Sequence, residues 1–381
     1  MFSDLGKEHS NMAKYEINAR CNRVGGEAVL EGLMMRAGER ASTALRMQDG
    51  TIHILERKFV SVRKKYKILG WPIIRGVVSF VESLILSFRT LTLSAEAMGE
   101  DGEEEQTKFE KWLEKTFGKS IYDFVMVIGT VLGFALAFGL FFYLPMIATK
   151  GLDSLCGGHL GWFKNLIEGL IRIGIFVVYI LLVSLMPDIR RTFQYHGAEH
   201  KSIFCYEAGL DLTVENVKKQ SRFHPRCGTS FIFVIMILSI IVFSFVTWDK
   251  LWMRLLLKLP LLPLITGIGF EFLMYSGKHD NVITRIATAP GLLMQRLTTK
   301  EPDEGQIEVG IAALKSALIG EFDDLITEPV EGKEDEYLVL TPELLAKREA
   351  EADTASAKET PDEEKSPAAD PAPADAEETN P

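Results

Sequence analysis

The chain has 381 residues, 47% hydrophobic and 25% charged, with a formal net charge of -10 and a mean hydropathy of +0.10. Residues 342–381 hold 12 acidic and 4 basic side chains, a net of -8, which leaves about -2 for residues 1–341. The balance excludes a basic nucleic-acid binder, a disulfide-stapled secreted mini-domain and a wholly soluble globule.

Residues 1–22 read as a flexible N-terminus: they are polar, mixed in charge and lack the apolar core of a signal peptide. Residues 23–68 read as a small β-rich domain. Thr43, Leu45 and Met47 alternate with polar neighbours, Asp49-Gly50 is a turn signal, and Ile52 and Ile54 alternate beyond it, predicting a hairpin over 41–62. The glycine-flanked run Gly25–Gly32 predicts another strand and lacks the G-x-G-x-x-G spacing of a nucleotide loop. His53 is expected to face solvent or the open side of that hairpin.

Residues 71–97 are apolar, but Arg75, Glu82 and Arg89 recur every seventh residue, with Ser79, Ser83 and Thr90 near the same stripe. This predicts a helix with one polar seam, interfacial or re-entrant. A charged linker follows over 98–120. Four segments within 121–275 have the length and apolarity of membrane spans: Ile121–Ala148, Leu166–Met186, Thr229–Thr247 and the weaker Leu255–Tyr275. The fold class is therefore an α-helical polytopic membrane protein with a small N-terminal β-rich domain. The loop 187–228 carries seven Lys and Arg residues, which predicts a cytoplasmic loop and both termini in the cytoplasm. The cysteines (Cys21, Cys156, Cys205 and Cys227) form no C-x-x-C pair or disulfide framework.

The chemistry is concentrated in that loop. A helix is predicted from Asp188 to Glu207, with Gly209 as its stop. It carries His196-Gly197-Ala198-Glu199-His200, an H-x-x-E-H motif. Histidines at i and i+4 share one helical face and can share a metal ion, and the glutamate beside them can act as general base. His224-Pro225-Arg226-Cys227 follows 24 residues after His200. His196, His200, His224 and Cys227 are thus the candidate ligands of a divalent metal, most naturally zinc. Four protein ligands make a closed structural site; three leave a position for water and make Glu199 catalytic. Glu207, seven residues after His200 on the same helical face, Glu271 in the last span and Arg226 are candidate outer partners or alternative ligands. Glu271 could equally pair with Lys278 or Arg75. Cys205 is expected to pack, and His279 is a weaker candidate for the site.

Residues 276–330 read as a cytoplasmic C-terminal segment with a helix over Ile307–Leu318, packing Ile307, Ile311, Leu314 and Leu318. Residues 331–381 read as an acidic disordered tail.

Five blocks, Arg23–Arg36, Arg75–Ser94, His196–Glu207, His224–Ser230 and Ala289–Val309, are similar to the YqhQ-like family of bacterial polytopic membrane proteins, a family of unknown function described as predicted metal-dependent enzymes. The resemblance covers roughly residues 20–320 and implies a bacterial inner-membrane protein without naming a reaction. The readings that compete are a zinc-dependent membrane hydrolase and a non-enzymatic membrane scaffold or assembly factor with a structural metal. The hydrolase would act at the cytoplasmic surface on a peptide or lipid substrate. The scaffold's partners would be other membrane proteins. Both place the chain in a lipid bilayer, and neither involves nucleic acid.

Overall fold

Alternation of apolar and polar residues builds the sheet first. In the computed structural model the described residues are 20–344, apart from 22, 102–118, 162, 246–250, 277, 278, 280, 323 and 343. The compact unit ends at Val339 and a second unit covers 340–381. Strands β1 (Val24–Val29), β2 (Gly32–Ala37), β3 (Arg40–Arg46) and β4 (Ile52–Lys58) form an antiparallel meander with Val29↔Gly32, Leu33↔Ala44 and Ala44↔Ile54 in register. The β3–β4 turn is the expected Asp49-Gly50, with Gly50 at φ 87, and the strand stops at Lys58 rather than running to 62. The β1–β2 link is tighter: Glu31 sits at φ 51, a conformation costly for a residue with a Cβ. Its carboxylate is held there by Arg191 and by the Tyr195 hydroxyl at 3.4 Å.

Two short strands enlarge this sheet. β5 (Thr327–Pro329) and β6 (Glu336–Val339) give the order β1-β2-β3-β4-β6-β5. The expected disordered tail from 331 is therefore corrected at its start. Tyr337 and Val339 pack against the main core, and Glu336 takes His53 Nδ1 at 2.6 Å. His53 is correspondingly half-buried beside Glu336, on the sheet face opposite Ile52 and Ile54 and not free in solvent. The acidic composition of the neighbourhood hides this alternation.

The sheet is covered on both faces. Leu33, Met35, Ala44, Ile52 and Ile54 meet helix α5 (Pro187–Glu207) and helix α10 (Glu304–Ala317) in one core. There Ile307, Leu314 and Leu318 are buried and Ile311 partly so. The opposite face receives helix α1 (Ile74–Asp101). Leu86 packs with Met34 and Ala41, and Ala97 and Met98 with Val29, Leu45 and Met47. The polar seam is used: Glu82 accepts from Ser61 Oγ at 2.9 Å and Val62 N–H at 2.7 Å, and Arg75 Nε donates to Glu271 at 2.7 Å. Ile74–Gly99 is long and apolar enough to cross a membrane, but its later turns lie on the sheet. The β-rich segment 23–68 thus forms the N-terminal antiparallel sheet and packs against helices on both faces.

Helix α2 (Lys119–Phe138) runs through a π turn, Gly139–Tyr143, into α3 (Leu144–Leu155), followed by α4 (Phe163–Val183). After α5 and the short α6 (Val214–Lys218) come α7 (Gly228–Ser244), α8 (Leu251–Ser276) and α9 (Val282–Thr298). Ile128–Leu155, Phe163–Val183 and Leu256–Ser276 are long and apolar enough to span; Gly228–Ser244 is shorter. Only 11% of the apolar window in Ile128–Leu155 is buried, so most of its surface faces outward, as a lipid-facing helix requires. The molecule is a multi-pass helical membrane protein with an N-terminal antiparallel sheet. Among its membrane helices Glu168 is buried against Lys258 at 2.6 Å and Arg172 at 3.0 Å.

Candidate metal centre

Pro187 opens α5 and Gly209, at φ 72, closes the turn after it. One turn of that helix separates His196 from His200, whose ring centroids lie 4.4 Å apart. Gly197 between them has no room for a side chain: a Cβ there would collide with the Lys300 carbonyl oxygen. This contact fixes the segment after α9 against the motif. The third group arrives from a distant part of the chain. Cys227 caps the N-terminus of α7, its sulfur accepting from Thr229 N–H at 3.4 Å.

His196 Nε2 lies 3.2 Å from Cys227 Sγ. One donor atom each from His196, His200 and Cys227 can be chosen so that all lie within 4.8 Å of one another. His196 Nδ1 is 2.9 Å from the Thr298 carbonyl oxygen and His200 Nδ1 is 2.6 Å from that of Arg222. A carbonyl only accepts, so each ring carries its proton on Nδ1 and leaves Nε2 with a free lone pair. This is the arrangement that orients metal-ligating histidines.

His224 stands beside this trio and outside it. Its Nδ1 accepts from Arg226 N–H at 3.3 Å, and its Nε2 lies 3.5 Å from Glu207. Glu207 is itself buried and bonded to the Arg226 guanidinium. Gln295 on α9 clamps the segment: it accepts from His224 N–H at 2.7 Å and donates to the His224 carbonyl at 2.7 Å and to Ser230 Oγ at 3.0 Å. A Cβ on Gly291 would lie 2.5 Å from Ser230 Cα, so α9 and α7 touch closely there. Glu271 is away from the cluster, paired with Arg75. His279 is exposed and stacked on Tyr275 at 4.2 Å. Cys205 is fully buried among core residues. Lys278 lies outside the described residues.

Burial sets the electrostatics. It pushes the Glu199 carboxyl up to about 8; Cys227 and Glu27 reinforce the rise, while His196 and the Gly26 N–H, which donates to the carboxylate, oppose it. Burial also lowers His200 and His224, keeping both imidazoles neutral. For Cys227 burial raises the thiol, but His200 and the Thr229 hydroxyl and N–H outweigh it, leaving it below its ordinary value. An imidazole that burial disposes to stay neutral at His200 and a thiol inclined to ionise at Cys227 are donors suited to a soft divalent ion.

A cavity of about 580 Å³ adjoins the cluster. One wall carries His196, Glu199, His200 and Cys227. Another is β1, and a third is the α1 seam with Ser79, Ser83 and Ser87. Phe80, Phe231, Phe270 and Leu273 make its apolar part. Glu27 Oε2 accepts from Ser87 Oγ, whereas Glu27 Oε1 and Ser79 Oγ are buried with no partner among the described residues. Gly26, Glu27, Gln295 and Thr298 were not singled out by the motif. Only the odd–even parity of β1 and the serine spacing of α1 hinted at this wall.

The known proteins add a family and no chemistry. A family described as "Protein of unknown function (DUF1385)" matches residues 71–319. The chain is 37% identical over 298 residues, 77% of its own length and 92% of the relative's, to the "Uncharacterized protein YqhQ" of Bacillus subtilis (strain 168). No solved structure matches. The match spans α1 through α10 and so includes every residue of the His/Glu/Cys cluster: the chain belongs to the DUF1385 family of proteins of unknown function, to which this YqhQ-like resemblance pointed.

Proposed function

We propose that the chain is a metal-dependent hydrolase of the bacterial cytoplasmic membrane, working at its cytoplasmic surface. The observation that carries this reading is the convergence of three donor atoms and Glu199 on one wall of an open cavity. His196 Nε2, His200 Nε2 and Cys227 Sγ would hold the ion, zinc by the chemistry of the donors. An ion held there supplies Lewis acidity toward a carbonyl or phosphoryl group and makes water acidic enough to attack near neutral pH. The chain's own part is positional. The Thr298 and Arg222 carbonyls fix both rings, the Gly26 N–H aims the Glu199 carboxylate, and Glu199 carries the proton from water to the leaving group. The ion pair of half-buried Arg226 with buried Glu207 holds the loop bearing His224 and Cys227.

The excess of Lys and Arg in 187–228 supports a cytoplasmic site. A structural metal in a scaffold would want His224 as fourth ligand, and its ring is engaged by Arg226 and Glu207 instead. The test is elemental mass spectrometry of the detergent-purified chain. About one zinc per chain is expected, lost in His196→Ala/His200→Ala and retained in Glu199→Gln with activity abolished. Protein that neither retains nor takes up metal sinks the proposal.

A further inference from the structure

The cavity lies along an unpaired strand edge. β1 is the outermost strand, bonded to β2 on one side only. The two-residue link Leu30-Glu31 makes Val29↔Gly32 the closing hydrogen-bonded pair. Alternation then turns the N–H and C=O groups of Val24, Gly26 and Ala28 outward, away from β2. The Gly26 N–H has this parity, since it reaches the Glu199 carboxylate. Among the described residues nothing bonds the outward N–H or C=O of Ala28 or the Gly26 carbonyl.

Successive side chains of a strand point to opposite faces. A cavity walled by Val24, Gly25, Gly26, Glu27 and Ala28 in unbroken sequence therefore lies over neither face alone and follows the edge. A Cβ on Gly25 would meet nothing within 4 Å, so the strand is open over that face as well. On the same cavity Glu27 Oε1 and Ser79 Oγ are buried and unpartnered among the described residues, so the hydrogen bonding of this wall is left incomplete.

We propose that β1 is a docking strand: an extended polypeptide segment adds to its free edge, bonds the outward N–H and C=O of Ala28 and the carbonyl of Gly26, and brings one of its peptide carbonyls beside His196, His200 and Cys227. Strand addition of this kind takes its affinity from main-chain hydrogen bonds and its selectivity from alternate side chains. One face of the guest would then meet Glu27 and Ser79. An acyl chain offers nothing to a row of backbone donors and acceptors, so the edge selects a peptide over a lipid. The fate of the docked peptide rests on the hydrolase reading; the docking does not.

The test uses the full chain in detergent and a fluorescein-labelled peptide of alternating valine and serine, as long as β1 and ending in a carboxamide, followed by fluorescence anisotropy. Saturable binding is expected. N-methylating alternate amides of one parity should weaken it by ~10-fold or more, because each lost ladder bond is worth about one kcal/mol, and the opposite parity should leave it nearly unchanged. Ala28→Pro, which removes an outward N–H, should reproduce the loss with metal content intact. No saturable binding, or equal effects of both parities, overturns the proposal. So does saturable binding of fluorescein-labelled dodecanoyl ethanolamide by a protein that ignores the peptide, which makes the cavity a lipid site. A peptide ending in a hydroxamate separates the two readings. If parity holds but the hydroxamate adds no metal-dependent affinity, the docking strand stands and the hydrolase reading falls.

Discussion

Two buried polar clusters make an instructive pair. In the membrane helices Glu168 is closed: Lys258 and Arg172 bond its carboxylate, and Arg172 Nε also donates to the Phe141 carbonyl at 2.8 Å. At the sheet, His196, His200, Cys227 and Glu199 are equally buried or nearly so, but their Nε2, sulfur and carboxylate atoms converge on open space. The difference is between charges that satisfy one another and ligands that are held ready by backbone carbonyls. Burial of an ionisable group is common to both, so it is the direction of the free lone pairs that marks a site.

This comparison can be broken most severely in the membrane. Glu168→Leu leaves two buried cations without their carboxylate and should cost about 3–5 kcal/mol, read as a lowered thermal midpoint in detergent, while metal per folded chain stays constant. Metal lost from the folded variant would mean that the two clusters are coupled after all. Gln295→Ala acts on the other cluster. It removes both bonds to the His224 backbone and one to Ser230, and should cost about 2–3 kcal/mol. Metal affinity, measured by competition with a chelator, should fall roughly 10–100-fold, as for other groups that support ligands from behind.

The smallest effect is the sharpest in sign. Burial raises the Glu27 carboxyl above its ordinary value, with the Ser87 and Thr90 hydroxyls opposing. The folded chain therefore holds this proton to higher pH than the unfolded chain, and stability falls as pH rises between the unfolded and folded values. Glu27→Gln should stabilise at neutral pH by a fraction of a kcal/mol, with the gain vanishing below the unfolded value of 4.5. A gain that persists in acid would show that Glu27 is not the group responsible.

Much of this was legible in sequence because it depends on local period. The i, i+4 histidines, the Asp49-Gly50 turn, the helix ending before Gly209 and the seam of α1 are set by neighbours within a turn or two. What was not legible depends on how remote segments approach. Spacing alone allowed His224 as an equal ligand, whereas its contact with Arg226 and Glu207 is fixed by the path of residues 224–227 across Gln295. The edge position of β1 depends on which strands join the sheet, and β6 lay hidden in an acidic run. Glu271 was open between a role at the site and a pairing with Lys278 or Arg75; that Arg75 takes it depends on how α1 meets α8, 196 residues apart in sequence.

The late arrival of β6 and α10 has a consequence for synthesis. The strands carrying Leu33, Met35 and Ile54 leave the ribosome first, and the helix that covers them, Glu304–Ala317, about 250 residues later. At 5–20 residues per second that interval is on the order of ten to fifty seconds. During it the membrane helices are made while the sheet's apolar face is still incompletely covered. Helix α5 can cover part of that face earlier, but the core is complete only once α10 has been made.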